Sequence, residues 1–165
     1  MRMLREALIQ QLYSPLMSAS FRPAALSDLE TLIDLVRAFY EEDGTPFDAA
    51  AARTALRGLF ADAESGVAFL IENGAEALGY LVVTFGYSLE FLGRDAFVDE
   101  LYVRPQARGQ GLGREALRIA EQACREHGVR ALHLEVRRGN APAQGLYHAA
   151  GFEDREHYLM TKRIR

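Results

Sequence analysis

The segment from Val98 to Leu117 constrains this chain most. It has the pattern of a strand, then a glycine-rich basic loop, then the first turn of an amphipathic helix. Glycines let a backbone approach a ligand closely, and the free N–H groups of a helix N-terminus point toward that ligand. The positive end of the helix dipole, with Arg104, Arg108 and Arg114 nearby, favours a phosphate or pyrophosphate group. A tight strand-to-helix connection without a ligand gives a similar pattern, so the rest of the chain has to decide.

Two nucleotide-binding motifs do not fit this loop. Gly109, Gly111 and Gly113 follow a strand, and Glu135 lies about 20 residues further on, where a ribose-binding acid is expected. The glycines, however, are spaced G-x-G-x-G rather than G-x-G-x-x-G, and too little chain follows for a second mononucleotide half. A P-loop is excluded because no Gly-Lys-Ser/Thr follows and the only lysine is Lys162.

The pattern that does fit is R-x-x-G-x-G, supplied by Arg108, Gly111 and Gly113. Two later segments match in the right order: Leu132–Val136, and Asn140 through Tyr147 to Gly151 and Phe152. On these three segments together, residues 21 to about 163 resemble the GNAT superfamily of acyl-CoA-dependent N-acetyltransferases.

The resemblance implies an α/β GNAT fold for residues 21–165, with a central mixed sheet of about six strands flanked by about four helices. Hydrophobic periodicity predicts elements in the order β-α-α-β-β-β-α-β-α-β, which matches that arrangement. The predicted strands are Phe21–Ala24, Val67–Glu72, Ala77–Phe85, Phe97–Val103, Arg130–Val136 and His157–Ile164. A chain of 165 residues, 49% of them hydrophobic, is long enough for one well-formed core.

Helix boundaries are predicted from capping residues. Ser27-x-x-Glu30 has the spacing of a capping box, and Gly44 can close the helix that follows. Asp48 is expected to cap a second helix that runs to about Ala61. The third helix is predicted from about Gly111 to His127, and the fourth from Asn140 to Ala150.

Residues 1–20 form an N-terminal extension, which the sequence predicts to be helical. Its apolar residues can share one helical face that ends at Pro15. The extension is either an appended helix, packed on the domain or on a second subunit, or an upstream addition to a domain that starts at Met17.

Composition narrows the class of protein. The net charge of −4 argues against a nucleic-acid partner, and no apolar run approaches the roughly 20 residues that span a bilayer. Cys124 is the only cysteine, in a helical pattern that predicts a packed thiol, and the four histidines show no metal-ligand spacing. We therefore expect a cytoplasmic enzyme that uses no metal and binds neither nucleic acid nor membrane.

The resemblance implies that acetyl-CoA is the co-substrate. Its pyrophosphate is expected on the backbone of Arg108, Gly109, Gln110, Gly111, Leu112 and Gly113. The pantetheine arm is expected along the preceding strand, at main-chain groups near Leu101 and Val103. Asn140 is either a helix cap or a contact to this cofactor.

The resemblance also implies direct attack of a neutral amine on the thioester. Asp99 and Glu100 are adjacent, so their side chains lie on opposite faces of the strand unless a bulge re-aims one of them. Glu100 is favoured for amine binding, with Asp99 as the alternative base. Tyr147 matches the general acid of the family, and a backbone N–H near Leu101 is expected to stabilise the oxyanion.

Acceptor identity is the least constrained property. An acidic run at Glu41–Asp43, with Glu90 and Asp95 before the central strand, suits a polyamine, an aminoglycoside or another small amine such as an amino acid. The alternatives are a protein N-terminus or lysine as acceptor, a non-catalytic acyl-CoA-binding module, and a dimeric interaction protein built on the N-terminal extension. Many members of the superfamily form dimers, so the resemblance also allows a homodimer.

Overall fold

Five strands form one mixed sheet in chain order, β1-β2-β3-β4-β5, in a computed structural model that describes residues 19–164. The strands are β1 Ser20–Pro23, β2 Gly66–Asn73, β3 Glu76–Ser88, β4 Gly93–Val103 and β5 Ala131–Leu134. Neighbours from β1 to β4 are antiparallel, whereas β5 is parallel to β4. Residues 1–18, which make up nearly all of the predicted extension, lie outside the described residues.

Within residues 19–164, four α-helices accompany the sheet: α1 Leu29–Asp43, α2 Ala49–Ala61, α3 Leu112–Glu126 and α4 Ala141–Ala149. Helices α1 and α2 lie between β1 and β2 in the chain, and α3 is the crossover that a parallel β4–β5 pair requires. The predicted α/β architecture of about six strands and four helices is confirmed.

The predicted sixth strand is absent from the described residues. His157–Ile164 has no strand assignment, and Tyr158, Met160 and Ile164 are 83%, 90% and 86% exposed. A strand exists only where its backbone groups pair with a neighbour. The apolar residues of this segment suggested a strand, but the segment makes no such pairing.

The N-terminus of α1 is built differently from the prediction. Asp28, not Ser27, organises this turn: its carboxylate accepts a hydrogen bond from the Ala25 N–H at 2.8 Å and pairs with Arg22. The guanidinium of Arg22 lowers the pKa of Asp28 to about 2. Glu30 is drawn instead to Arg53 on α2, at 2.6 Å, so the predicted Ser27–Glu30 capping box is wrong.

The other predicted caps are confirmed. Gly44 closes α1 with φ +69°, in the left-handed region that favours glycine. The Asp48 carboxylate accepts from the backbone N–H groups of Ala50 and Ala51 at the start of α2. The Asn140 side chain accepts from the Ala143 N–H at the start of α4, at 3.2 Å.

A buried core joins α1 and α2 to the sheet. Its members include Leu32, Ile33, Leu35, Leu70 and Tyr80, which have no measurable exposure. Leu81 and Val83 alternate with Tyr80 and Val82 along β3 and are equally buried, so both faces of β3 are covered. Helix α3 contacts β3 and β4 and buries Cys124, whose thiol has its pKa raised to about 11 by burial.

The chain divides into two units. Residues up to Glu135 contain the whole five-stranded sheet and α1–α3, and residues from Val136 onward contain α4. Within the second unit, Tyr147 packs edge-on against Phe152, with ring centroids 6.0 Å apart, and the Phe152 N–H donates to the Tyr147 carbonyl. The turn after α4 is thereby fixed around Tyr147.

Candidate active site

A bulge in β4 places the two adjacent carboxylates. Val82 pairs with Glu100 and the next residue, Val83, pairs with Val98, so Asp99 is the extra residue in the ladder. A bulge interrupts the strict alternation of side chains along a strand. Asp99 and Glu100 therefore line the same cavity, which is the exception that the sequence analysis allowed.

Two phenols hold Glu100. The Tyr40 hydroxyl, from α1, donates to Oε1 at 2.8 Å, and the Tyr80 hydroxyl, from β3, donates to Oε2 at 2.7 Å. Burial raises the pKa of Glu100, while the two donated hydrogen bonds oppose that rise and the charge of Asp99 adds to it. The result is a carboxylate fixed in place with one donor on each oxygen.

The same burial keeps the two phenols protonated. Desolvation and the Glu100 carboxylate both raise the pKa of Tyr40 and of Tyr80. Sequence analysis did not single out Tyr40 as a site residue. The one signal that could have singled it out is a hydroxyl-bearing residue in a stripe of otherwise aliphatic and Phe side chains.

Asp99 differs from Glu100 in its exposure to solvent and in its hydrogen bonding. Its side chain is exposed to solvent at the cavity, and it accepts no hydrogen bond from residues 19–164. The surrounding protein nevertheless desolvates it enough to raise the pKa of its carboxyl. Asp99 is thus the carboxylate with lone pairs open to a ligand.

The cavity has a volume of about 280 Å³ and lies between α1, α2 and the β3–β4 pair. Its polar lining consists of Asp99, Glu100, Tyr40 and Thr84. The remaining lining residues are aliphatic: Val36, Ala52, Ala55, Leu56, Leu59 and Val82. We call this space the acceptor cavity.

The acidic run Glu41–Asp43, expected to suit a cationic acceptor, does not line this cavity. Glu42 instead pairs with Arg108 at 2.7 Å, and the Asp43 carboxylate accepts from the Thr45 hydroxyl at 2.6 Å. Asp95, lower on β4, lies 3.7 Å from His133. In the part of the chain that the structure describes, the carboxylates that line the cavity are those of Asp99 and Glu100.

The glycine-rich loop presents its backbone rather than its arginines. Arg108 donates to the Val103 carbonyl at 2.8 Å, pairs with Glu42 and lies over the Tyr102 ring. Arg104 donates to the Ala77 carbonyl at 3.0 Å. Two of the three arginines expected to attract phosphate are therefore engaged with the protein.

The backbone of this loop suits an anion. Gly109 and Gly111 have φ +76° and +83°, and Gly111 is the N-cap of α3. Leu112, Gly113 and the next residue carry the first N–H groups of α3, which an α-helix leaves without partners of its own. Their alignment with the helix dipole favours a phosphate at this position.

The strand edge beside the loop is also open. β4 pairs with β3 as far as Val103, but it pairs with β5 only over Asp95–Val98. Beyond Val98, the β5-side edge of β4 pairs with no strand among residues 19–164. Leu101 and Val103 lie on this stretch, where an extended ligand can add main-chain hydrogen bonds like a short strand.

The second unit holds the remaining predicted site residues. The Asn140 side chain caps α4, which is one of the two roles that the sequence predicted for it. Tyr147 is half-buried on α4, and burial raises the pKa of its phenol. A phenol with a raised pKa stays protonated at neutral pH and keeps its hydrogen for donation.

Comparison with known proteins agrees with this geometry. The sequence model of the Acetyltransferase (GNAT) family matches residues 29–152, three quarters of the chain. The chain belongs to the GNAT acetyltransferase family. The fold described above is that of a GNAT protein.

Among full-length relatives, an L-methionine sulfoximine/L-methionine sulfone acetyltransferase of Pseudomonas paraeruginosa is 31% identical over 83% of this chain and 81% of its own length. An integron cassette protein from the mobile metagenome of Cole Harbour Salt Marsh is 38% identical, with a TM-score of 0.80 over 88% of this chain and 90% of that one.

A predicted acetyltransferase of Clostridium acetobutylicum, solved with acetyl-CoA, shares the fold at 16% identity and a TM-score of 0.75, covering 87% of this chain and 96% of that one. For three further curated relatives, the chain spans only 39%, 48% and 54% of their lengths.

The described residues contain neither a candidate membrane-spanning helix nor a candidate metal-binding group. No helix there is long and apolar enough to cross a membrane. Within residues 19–164, no group of three or more His, Cys, Asp or Glu side chains could hold a metal ion.

Proposed function

We propose that this protein is an acetyl-CoA-dependent N-acetyltransferase that acts on the primary amine of a small molecule by direct attack in a ternary complex. The observation that carries the proposal is the bulge at Asp99, which puts two carboxylates into one cavity beside the open edge of β4. A binding module needs only the loop and the strand edge. Two desolvated carboxylates on the same strand are what amine chemistry requires in addition.

Acetyl-CoA binding draws on backbone groups. We assign the pyrophosphate to the N–H groups of residues 108–113 and the pantetheine arm to the open edge at Leu101 and Val103. Relatives of this fold solved with acetyl-CoA support the choice of co-substrate. A backbone N–H near Leu101 stabilises the oxyanion of the tetrahedral intermediate.

The amine must lose a proton before it attacks, because an alkylammonium has a pKa near 10. Glu100, fixed by Tyr40 and Tyr80, binds and orients the ammonium group. Asp99, which has no protein donor among the described residues, accepts its proton. The neutral nitrogen then forms a bond to the thioester carbon.

The leaving thiolate needs a proton as the C–S bond breaks. Tyr147 supplies it from its phenol, whose pKa burial raises. The surplus proton on the new amide nitrogen passes through solvent and restores the phenol. The net products are the N-acetylated amine, free CoA and the proton held by Asp99.

The test is amine-dependent thiol release from acetyl-CoA, with wild type beside Tyr147→Phe and the exposed Tyr158→Phe as matched control. The panel holds alkylamines, polyamines, aminoglycosides, amino acids and lysine peptides. We expect turnover of a small amine that falls by about 10²-fold or more in Tyr147→Phe only. Turnover of lysine peptides alone would favour a protein acceptor, and acetyl-CoA binding without any turnover would favour the non-catalytic module.

A further inference from the structure

The shape and charge of the acceptor cavity specify the acceptor more closely. We propose that it is a primary monoamine on a short, uncharged, apolar body, rather than a polyamine, an aminoglycoside or an amino acid. This inference rests on the proposed N-acetyltransferase function, because it assigns the cavity to the acceptor.

One end of the cavity is built for a single ammonium group. Among residues 19–164, Asp99 and Glu100 are the only charged residues that line it, and they are neighbours in the chain. The oxygens of Glu100 each accept a phenol hydrogen already, so the cavity offers an ammonium the remaining lone pairs of Glu100 together with those of Asp99. An ammonium has three donors in a compact arrangement, which suits two adjacent carboxylates.

Among residues 19–164, the cavity wall opposite the two carboxylates has no group that could pair with a second ammonium. It is formed by Ala52, Ala55, Leu56 and Leu59 of α2. The thirteen residues of α2 contain two arginines and no aspartate or glutamate. A second ammonium in the acceptor would therefore meet methyl groups of α2 and no carboxylate from within that helix.

A carboxylate on the acceptor is disfavoured for a related reason. Among the described residues that line the cavity there is no lysine, arginine or histidine. An amino-acid carboxylate would be desolvated beside Asp99 and Glu100 without a cation to balance it. Burying an unpaired charge costs far more than any hydrogen bond to Thr84 could return.

Cavity volume limits the size of the body. About 280 Å³ lies just below the range of pockets that hold drug-sized ligands. A short alkyl or single-ring amine suits this space. Its apolar carbons would replace water against Val36, Leu56 and Val82, and the free energy gained is proportional to the apolar area that is buried.

The decisive experiment compares two amines of equal length and equal non-hydrogen atom count, n-pentylamine and 1,4-diaminobutane. They differ only in whether a methyl or an ammonium group occupies the far end. We expect kcat/KM for n-pentylamine to exceed that for 1,4-diaminobutane by about tenfold or more, because the second charge is unpaired. L-Norvaline tests the carboxylate against n-butylamine, the amine that remains when the carboxylate is removed, and should react more slowly than n-butylamine or n-pentylamine.

A designed variant tests the wall itself. Ala55 is exposed on α2 and lines the cavity, so Ala55→Asp adds a carboxylate there without disturbing the core. The ratio of kcat/KM for 1,4-diaminobutane to that for n-pentylamine should rise about tenfold in this variant. Thr54→Asp adds the same charge to the same helix at a residue that does not line the cavity, and it should leave the ratio unchanged.

The outcomes separate the two proposals. Turnover in which 1,4-diaminobutane or L-norvaline outpaces n-pentylamine overturns this inference and leaves the N-acetyltransferase function standing. If no amine is acetylated, calorimetric titration of both amines in the presence of acetyl-CoA decides: selective binding of n-pentylamine supports the cavity assignment while the catalytic function falls. Binding of neither amine overturns both.

Discussion

The two carboxylates of the acceptor cavity and the Arg108–Gly113 loop lie on one strand–loop–helix segment, yet the cavity and the loop present opposite kinds of chemistry. In the cavity, Asp99 and Glu100 offer side-chain charge, and Tyr40 and Tyr80 hold one of them in place. In the loop, the side chain of Arg108 is turned back onto the protein, and what faces outward is backbone N–H. The cavity should therefore respond to side-chain identity, and the loop to backbone conformation.

The largest effect that follows from this comparison is expected at Asp99. Because the proposed base must be ionised, Asp99→Asn should lower kcat/KM by about 10²–10⁴-fold. Burial raises the pKa of Asp99, so wild-type kcat/KM should rise with pH through a value above that of an ordinary aspartate. The variant should lack this acidic limb in a pH profile of initial rates.

Asp95→Asn is the matched control, since it removes a carboxylate from the same strand outside the cavity. Its kcat/KM should stay close to wild type. If Asp99→Asn keeps the acidic limb and Glu100→Gln loses it, the two carboxylates exchange roles and the free one is not the base.

The next largest effect is expected at Tyr40, which donates a hydrogen bond to the Glu100 carboxylate in the cavity. Tyr40→Phe removes one of the two donors to Glu100, and hydrogen bonds to charged groups contribute about 1.5–3 kcal/mol. We expect a loss toward the lower end of that range in the free energy of unfolding at pH 7, because Tyr40 is only half-buried. Urea unfolding measures it, with the exposed Tyr87→Phe as control.

The pH dependence of this loss has a definite sign. Burial raises the folded-state pKa of Glu100 above its unfolded value, so its ionisation destabilises the fold as pH rises through the folded pKa. Without the Tyr40 donor that pKa rises further, and the destabilisation grows. The difference between wild type and Tyr40→Phe should therefore be small near pH 4 and larger near pH 7; a constant difference would mean that Tyr40 does not stabilise the ionised carboxylate.

A smaller effect is expected from the loop backbone. Gly111 has φ +83°, a conformation that costs an L-residue roughly 1–2 kcal/mol. We expect Gly111→Ala to weaken CoA binding about 5- to 30-fold by displacing the N–H groups that follow it. Isothermal titration with CoA measures the change.

Gly58→Ala provides the contrast. Gly58 lies inside α2, has no positive φ and has open space where a Cβ would be, so alanine should stabilise the protein by about 0.4–1 kcal/mol. CoA affinity should not change. An equal CoA affinity in wild type and Gly111→Ala would mean that the loop conformation does not carry the binding.

The contrast between the loop and the cavity also explains which features could be predicted from the sequence. The loop was predictable because glycine spacing and a helix start are local signals, and Gly109, Gly111 and the α3 boundary follow from them. Periodicity likewise predicted the order of strands and helices. The sixth strand failed because its apolar pattern says nothing about whether a partner lies alongside it.

The cavity was only partly predictable. Sequence identified Asp99 and Glu100, but the bulge that unites them depends on the register with β3, which no local pattern fixes. The Tyr40–Glu100 bond joins residues 60 positions apart. The pairing of Glu42 with Arg108, which engages part of the acidic run at Glu41–Asp43, is equally non-local. Contacts between distant segments are decided by packing, not by spacing.

The smallest expected effect is also the sharpest test of the comparison. Glu42 and Arg108 form an ion pair at 2.7 Å, but both side chains are 45% exposed, and such pairs contribute at most about 1 kcal/mol. Glu42→Gln should therefore change the Kd for acetyl-CoA less than about fivefold, because Arg108 keeps its bond to the Val103 carbonyl and its position over Tyr102.

The direction and salt dependence of this change carry the argument. In Glu42→Gln the positive charge of Arg108 is no longer neutralised by a carboxylate. Acetyl-CoA should therefore bind slightly tighter than to wild type at low salt, and equally tightly at high salt, where exposed charges are screened. Glu41→Gln, at the same helix end, controls for lost negative charge alone. If Glu42→Gln tightens binding more than about tenfold and Glu41→Gln does not, Arg108 itself grips the pyrophosphate once freed. The loop would then recognise its ligand by a side chain, as the cavity does, and the distinction between the two regions would collapse.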